Sequence, residues 1–156
     1  MELLNMNIYI GSDHAGYSLK NKLKAYLEDF GYLVEDKGAY SLDEKDDYPD
    51  FIIPVAEAVA QDKESMGIIL GGSGEGEEMA ANKVHGIRAC EYYGGNLEIV
   101  RLARMHNDAN VLSLGARFVS EDEAKEAVRI FIETPFSGDE RHVRRIDKVE
   151  QEEENI

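Results

Sequence analysis

The sequence predicts an α/β fold, with a five-stranded parallel sheet, helices on both of its faces and one further helix at the C-terminus. Three observations predict it. Short apolar runs of strand length alternate with stretches where apolar residues recur every three or four positions. Polar or glycine-rich turns separate the two kinds of segment. The length, 156 residues, suits one domain with a sizeable core.

The first strand is Asn7–Gly11, which ends at the polar turn Ser12-Asp13-His14. Leu19, Leu23, Tyr26, Leu27 and Phe30 then recur at helical spacing, and Gly31 supplies a stop signal. Tyr32–Val34 is a second strand, Asp36–Asp47 a polar loop, and Pro49 opens a helix that runs to about Gln61. Met66–Leu70 is a third strand, with a short helical pattern from Glu77. Ile87–Cys90 and Asn110–Leu114 complete the sheet, and Leu97, Val100, Leu102 and Met105 mark a helix between them. Ser120 with Glu123 reads as a capping box for a helix ending near Pro135. A polar helix from about Asp139 leads into the acidic tail 150–156, expected to be frayed or solvated. Strands that each lead into a helix build a single-domain, Rossmann-like three-layer α/β/α sandwich over residues 1–156. Met6 is a possible natural start, with residues 1–5 an N-terminal extension.

Composition excludes several functions. The formal net charge of −15 argues against nucleic acid and against anionic membrane surfaces. No apolar run approaches the length that spans a bilayer, and the N-terminus lacks the basic start and apolar middle of a signal peptide. A lone cysteine, Cys90, rules out an intrachain disulfide framework and makes the cytoplasm the expected compartment. Inside a strand, Cys90 reads as a small buried hydrophobe rather than a nucleophile. No His-x-x-x-His or Cys-x-x-Cys spacing points to a metal site.

The stretch Gly71-Gly72-Ser73-Gly74-Glu75-Gly76 carries the strongest functional signal. Four glycines in six residues exceed what a strand-to-helix turn requires, and they let several N–H groups converge on one point. The helix that follows adds its own unpaired N–H groups. The loop matches neither the dinucleotide fingerprint nor a Walker sequence. It suits an anion, either a phosphate or a charge that develops in a reaction. The acids beside it suit a general base, although the helix dipole alone also favours a carboxylate there. Composition does not rank Glu75, Glu77 and Glu78, and helical geometry disfavours Glu78.

In a parallel sheet, ligands bind beyond the carboxyl ends of the strands. Ser12-Asp13-His14, the glycine loop and Ala116-Arg117 are therefore expected on one edge. Asp13-His14 reads alternatively as a helix cap, and His106-Asn107-Asp108 as a turn before the last strand. Two histidines, their neighbouring acids and amides, and a glycine loop are expected together on that edge as one site. All eight arginines lie at or beyond Arg88, with Arg141, Arg144 and Arg145 crowded together. Taken alone, this cluster reads as ion pairs with Asp139, Glu140, Asp147 and Glu150 on a helix surface.

Gly11-Ser12-Asp13-His14-Ala15-Gly16, Asp47-Tyr48-Pro49, Gly72-Ser73-Gly74-Glu75-Gly76, Ala80-Ala81-Asn82-Lys83, His106-Asn107-Asp108 and Arg141-His142 follow one another along the chain. As a set they resemble the type B ribose-5-phosphate isomerases, within the wider family that includes galactose-6-phosphate isomerase subunits. The resemblance covers about Met6 to Val149. It implies interconversion of ribose 5-phosphate and ribulose 5-phosphate through a cis-enediolate, without metal or organic cofactor. One branch of the family uses a cysteine at the end of the third strand; that position here is Gly71. A second branch places a glutamate at the start of the next helix, and Glu77 matches it. The resemblance thus makes Glu77 the base rather than Glu75, and Asp13 and His106 the pair that opens the sugar ring. Ser73 would move a proton between the enediolate oxygens. The loop N–H groups from Gly72 to Gly76, those of Gly74 and Glu75 included, would stabilise that charge together with Asn107. His14, Arg117, Arg141 and Arg145 would hold the phosphate, which leaves Arg144 as a surface charge. Tyr48 would contact the substrate, while the pocket size that decides between sugars is not readable from loop residues such as Tyr48 and Tyr92–Asn96. The implied assembly is a homodimer or dimer of dimers whose sites draw on two subunits. The alternatives are an isomerase for another sugar phosphate, of the allose 6-phosphate or galactose 6-phosphate type, and a non-catalytic phosphosugar-binding domain.

Overall fold

The structure, a computed structural model, describes residues 6–156; the possible N-terminal extension lies outside the described residues. Strands and helices alternate: β1 (Asn7–Ser12), α1 (Tyr17–Asp29), β2 (Leu33–Asp36), α2 (Pro49–Gln61), β3 (Met66–Gly71), α3 (Glu75–Ala81), β4 (Ala89–Tyr92), α4 (Glu98–Asn107), β5 (Val111–Gly115), α5 (Glu121–Glu133) and α6 (Glu140–Glu154). The sheet has the order β2-β1-β3-β5-β4, and every pair is parallel.

The two central strands are buried on both faces, which is why they read as continuous apolar runs rather than alternating ones. Ile8 and Ile10 of β1, Ile68 and Leu70 of β3, and Leu112 and Leu114 of β5 share one core with Leu23 and Leu27 of α1, Val100 of α4 and Phe131 of α5. Ile69 and Val111 point the other way, into a second core with Ile52, Val55 and Val59 of α2 and Ala81 of α3. The expected three layers are therefore present. β2 and β3 lie on opposite sides of β1, so the connections diverge there. The carboxyl ends of β1 and β3 are therefore the switch point at which ligands bind in such sheets.

Three local expectations are corrected. β4 runs Ala89–Tyr92, two residues later than expected. Ile87 is buried yet outside the sheet, and the Arg88 N–H donates to the Asn110 side chain instead of to a strand. At α5 the Ser120 hydroxyl accepts from the Glu123 N–H at 3.1 Å, a cap that stabilises a helix by about 1 kcal/mol. The reciprocal half of the box is not made, because the Glu123 carboxylate accepts from the Tyr92 hydroxyl. The acidic tail is solvated, as one reading expected, but it is not frayed. α6 stays helical to Glu154, with Glu150 taking a bond from Arg88 and Glu153 from the Gly86 N–H. Among the described residues no helix is long and apolar enough to cross a membrane.

Candidate active site

β1 and β3 deliver the two central carboxylates. Asp13 follows β1 directly and is 7% exposed. One of its oxygens accepts from the Ala15 and Gly16 N–H groups at 3.0 and 3.2 Å. That oxygen is committed to the turn that leads into α1, whose N-cap is Gly16. Glu77, in the first turn of α3, is 4% exposed, and its Oε2 is buried with no hydrogen-bond partner. Burial first, and the nearby Asp13 second, push its carboxyl above the usual glutamate value.

The glycine loop is shaped around these groups. A Cβ on Gly71 would lie 1.9–2.1 Å from the Glu77 carboxyl atoms, so the carboxylate occupies the place of a side chain at that position. Gly74 caps α3 with φ +84°, a conformation L-residues rarely adopt. Its carbonyl accepts from the buried Ser113 hydroxyl at 2.7 Å. Tyr48 packs against Gly76 and the Arg117 guanidinium against Gly72. The Ser73 hydroxyl accepts from the Glu75 N–H at 3.2 Å. α3 starts at Glu75, earlier than the expected Glu77.

Glu75 and Glu77 diverge. Glu75, Glu78 and Glu91 present carboxylate oxygens within 4.8 Å of one another on the β4 side, whereas Glu77 turns toward Gly71 and Asp13. Beyond β1, the His14 Nδ1–H donates to Asp46 at 2.6 Å. Asp13, His14 and Asp46 form a second group of closely spaced ligand atoms. In the second group the His14 ring and Asp46 Oδ1 are committed to each other as donor and acceptor, so it is a hydrogen-bonded pair rather than a ligand set.

The expectation of a single edge is corrected for the second histidine. α4 runs antiparallel to the strands, from the carboxyl end of β4 back to the start of β5. Its last turn, with His106 and Asn107, therefore lies at the amino edge. A five-residue strand separates the edges by about 15 Å. There the His106 ring stacks on His142, centroids 4.4 Å apart. His142 is 5% exposed and hydrogen-bonded through Nδ1 to the Ser137 hydroxyl at 2.9 Å. Burial, then His106 and Arg141, hold it below the ordinary histidine value. Asp108 closes α4 with φ +48°, so the expected turn is present as well.

The arginines sort cleanly. Arg88, Arg101, Arg104, Arg129 and Arg144 each pair with a carboxylate, Arg144 with Glu140 one helical turn away. Among the described residues, Arg117, Arg141 and Arg145 enter no ion pair, although the chain carries 32 acidic residues. These three guanidinium groups keep their charge-assisted donors free of carboxylate.

Three site-forming residues escaped the sequence reading. Lys20 is fully buried, and its ammonium donates to Asp36 at 2.8 Å and to the Ala39 carbonyl at 2.5 Å. It thereby pins the loop that carries Asp46 and Tyr48. A lysine one helical turn before Leu23, on the apolar side of α1, was its available signal. Asp46 and Glu91 gave none, because each reaches the site through a long-range contact. Cys90 packs against the core, and desolvation pushes its thiol up to about 12.

A buried, unpartnered carboxylate beside a glycine loop, with unpaired arginines elsewhere, equips an enzyme that moves protons on a small anionic substrate. The chain belongs to the Ribose/Galactose Isomerase family, whose model matches residues 8–149. Ribose-5-phosphate isomerase B of Mycolicibacterium paratuberculosis is 46% identical over 142 residues, covering 91% of this chain and 88% of that protein. The structure of the Mycoplasma genitalium ribose-5-phosphate isomerase B with bound ribulose 5-phosphate aligns with a TM-score of 0.92 at 40% identity, covering 97% of this chain and 98% of that one. The Clostridium thermocellum ribose-5-phosphate isomerase B aligns with a TM-score of 0.91 at 43% identity, covering 96% and 99%.

Proposed function

We propose that this chain interconverts ribose 5-phosphate and ribulose 5-phosphate through a cis-enediolate, with Glu77 as the base. The observation that carries the reading is the Glu77 carboxylate, buried over Gly71 with one oxygen unpartnered and its proton affinity raised. A carboxylate with that affinity serves a carbon acid better than an exposed glutamate does.

In the open-chain aldose, Glu77 takes the proton from C2. The bonding pair forms C1=C2, and O1 takes up the negative charge. Glu77 then returns the proton to C1, O2 becomes the carbonyl, and the hydroxyl proton of O2 ends on O1. Ser73 relays that last proton. Loop N–H groups between Gly72 and Gly76 would stabilise the charge on both oxygens, the Glu75 N–H being engaged by the Ser73 hydroxyl, and donors fixed beforehand in a dry site are usually the largest single catalytic effect.

Ring opening, in this reading, falls to Asp13 and His106, which lie at opposite edges of the sheet within one chain. A second copy must therefore bring its amino edge against the carboxyl edge. His106, Asn107, Arg141 and Arg145 of that copy would complete the site that Asp13, His14, Glu77 and Arg117 begin. Homodimers closed by a two-fold axis form two such sites at once.

The test is conversion of ribose 5-phosphate by wild type and by Glu77→Gln, with six-carbon sugar phosphates as competitors. The expected result is a fall in kcat of about a hundredfold or more with KM little changed. The acidic limb of the kcat/KM profile should also sit above the ordinary glutamate range, since activity appears as Glu77 loses its proton. Near-normal activity in Glu77→Gln, beside an inactive Glu75→Gln, would move the base to the other glutamate. A six-carbon phosphate preferred in kcat/KM would change the substrate.

A further inference from the structure

We propose that Asp46 is a positioning residue for the phosphate end of the site, holding His14 by Nδ1 as a fixed cationic donor whose Nε2–H meets the substrate's phosphate dianion. The proposal rests on the reading of His14 as a phosphate ligand. Its basis is the geometry of the pair. Asp46 is 7% exposed in its side chain, and a single oxygen, Oδ1, accepts both from the His14 Nδ1–H at 2.6 Å and from the His14 backbone N–H at 3.2 Å. Ring and main chain are clamped by the same atom. The other oxygen, Oδ2, is buried without a partner, so no other donor competes for the carboxylate's charge.

The carboxylate is delivered by a fixed segment. Lys20 anchors Asp36 and the Ala39 carbonyl at the start of the loop, and the Asp46 N–H donates to the Asp43 carbonyl at its far end. His14 itself is 26% exposed in its side chain, which leaves Nε2 as the ring's remaining donor.

Charge is what this arrangement controls. A phosphate monoester becomes a dianion above about pH 6, and an unassisted histidine loses its charge near pH 6.5. Histidine alone would thus discharge over the range in which the substrate is most anionic. The groups that face His14 are Asp46 and Asp13, which favour its cation, and Arg117, which opposes it. The hydrogen bond to Asp46 is the largest influence and lifts His14 above its ordinary value, outweighing partial burial and Arg117. When phosphate binds, Arg117 and His14 then act as two cations rather than one.

The decisive experiment compares wild type, Asp46→Asn and Asp46→Glu by NMR titration of imidazole-labelled protein without substrate, and by KM for ribose 5-phosphate across pH. In Asp46→Asn the His14 titration is expected to fall by about one unit, raising KM about tenfold between pH 6.5 and 8, with kcat changing less than about threefold. Asp46→Glu should restore both. Binding of inorganic phosphate, followed by its effect on the His14 resonances, should weaken in parallel in Asp46→Asn, a readout that needs no turnover. Identical His14 titrations in wild type and Asp46→Asn would overturn the proposal. So would a KM raised by the same factor at every pH, which is the mark of a packing defect. If wild type fails to turn over ribose 5-phosphate, the functional reading falls, and the His14 titration with and without inorganic phosphate still decides the role of Asp46.

Discussion

At the carboxyl edge of the sheet the polar groups are buried and fixed by their own chain. Glu77 lies in the hollow over Gly71, Asp13 braces the turn into α1, and Asp46 clamps His14. At the amino edge Arg141 and Arg145 stand exposed on α6 without carboxylate partners, beside a histidine pair. In the proposed reading the carboxyl edge carries the base and part of the phosphate site, and the amino edge carries the remaining phosphate ligands with a ring-opening histidine. Proton transfer tolerates little misplacement, so its groups are held by close packing. Capture of a phosphate depends on charge and donor geometry, which can be supplied across an interface. Under the proposed reading, each chain would carry two complementary halves of a site that a second copy completes.

The largest effect expected from a single methyl group is at the carboxyl edge. Gly71→Ala places a Cβ where the Glu77 carboxylate now lies, and the flexible end of that side chain is what must move. The fold should survive while kcat falls about a hundredfold or more, the cost of displacing a general base. Steady-state kinetics with a thermal melt checks this, and a variant of normal kcat would mean that the position of Glu77 is immaterial.

At the amino edge, Arg145→Ala or Arg141→Ala should raise KM by about tenfold or more with kcat less affected, as for loss of a charge-assisted contact. Arg144→Ala, whose partner is the exposed Glu140, should change KM less than about twofold. Equal effects from all three would erase the distinction between paired and unpaired arginines.

The smallest effect concerns stability. Both oxygens of Glu91 are buried without partners, under Gly74, and burial followed by Glu78 and Glu75 pushes its carboxyl up to about 9. In the unfolded chain the carboxyl ionises near pH 4.5. The folded state therefore holds the proton more tightly, and stability is lost as pH rises from about 4.5 toward 9. Glu91→Gln should melt about 2–4 °C higher at neutral pH, with the gain shrinking toward pH 4.5. A gain independent of pH would place its origin elsewhere than in ionisation.

Periodicity made the layers legible. The apolar runs of β1, β3 and β5 announce buried parallel strands, and the spacing of Leu19, Leu23 and Leu27 announces α1. Glycine density marked the loop, because those positions need either an unusual φ, as at Gly74, or room for another side chain, as at Gly71. The shift of β4 was not legible, since Ile87 satisfies the apolar pattern from outside the sheet. The edge assigned to His106 was misread for a geometric reason. A residue in the last turn of a crossover helix has already returned to the amino edge, however near it stands to the next strand in sequence. Asp46, Lys20 and Glu91 depend on contacts between segments far apart in the chain, which local pattern does not encode.

The central claim is that one site needs the carboxyl edge of one chain and the amino edge of another, and subunit complementation measures it directly. Assayed alone at a substrate concentration well below the wild-type KM, Glu77→Gln should be nearly inactive and Arg145→Ala should keep about a tenth of the wild-type rate or less. After co-refolding in equal amounts, half of the dimers are mixed, and each of these contains one site with both halves intact. Activity should then return to about a quarter of wild type. A mixture no more active than the average of the two separate variants would contradict the shared site.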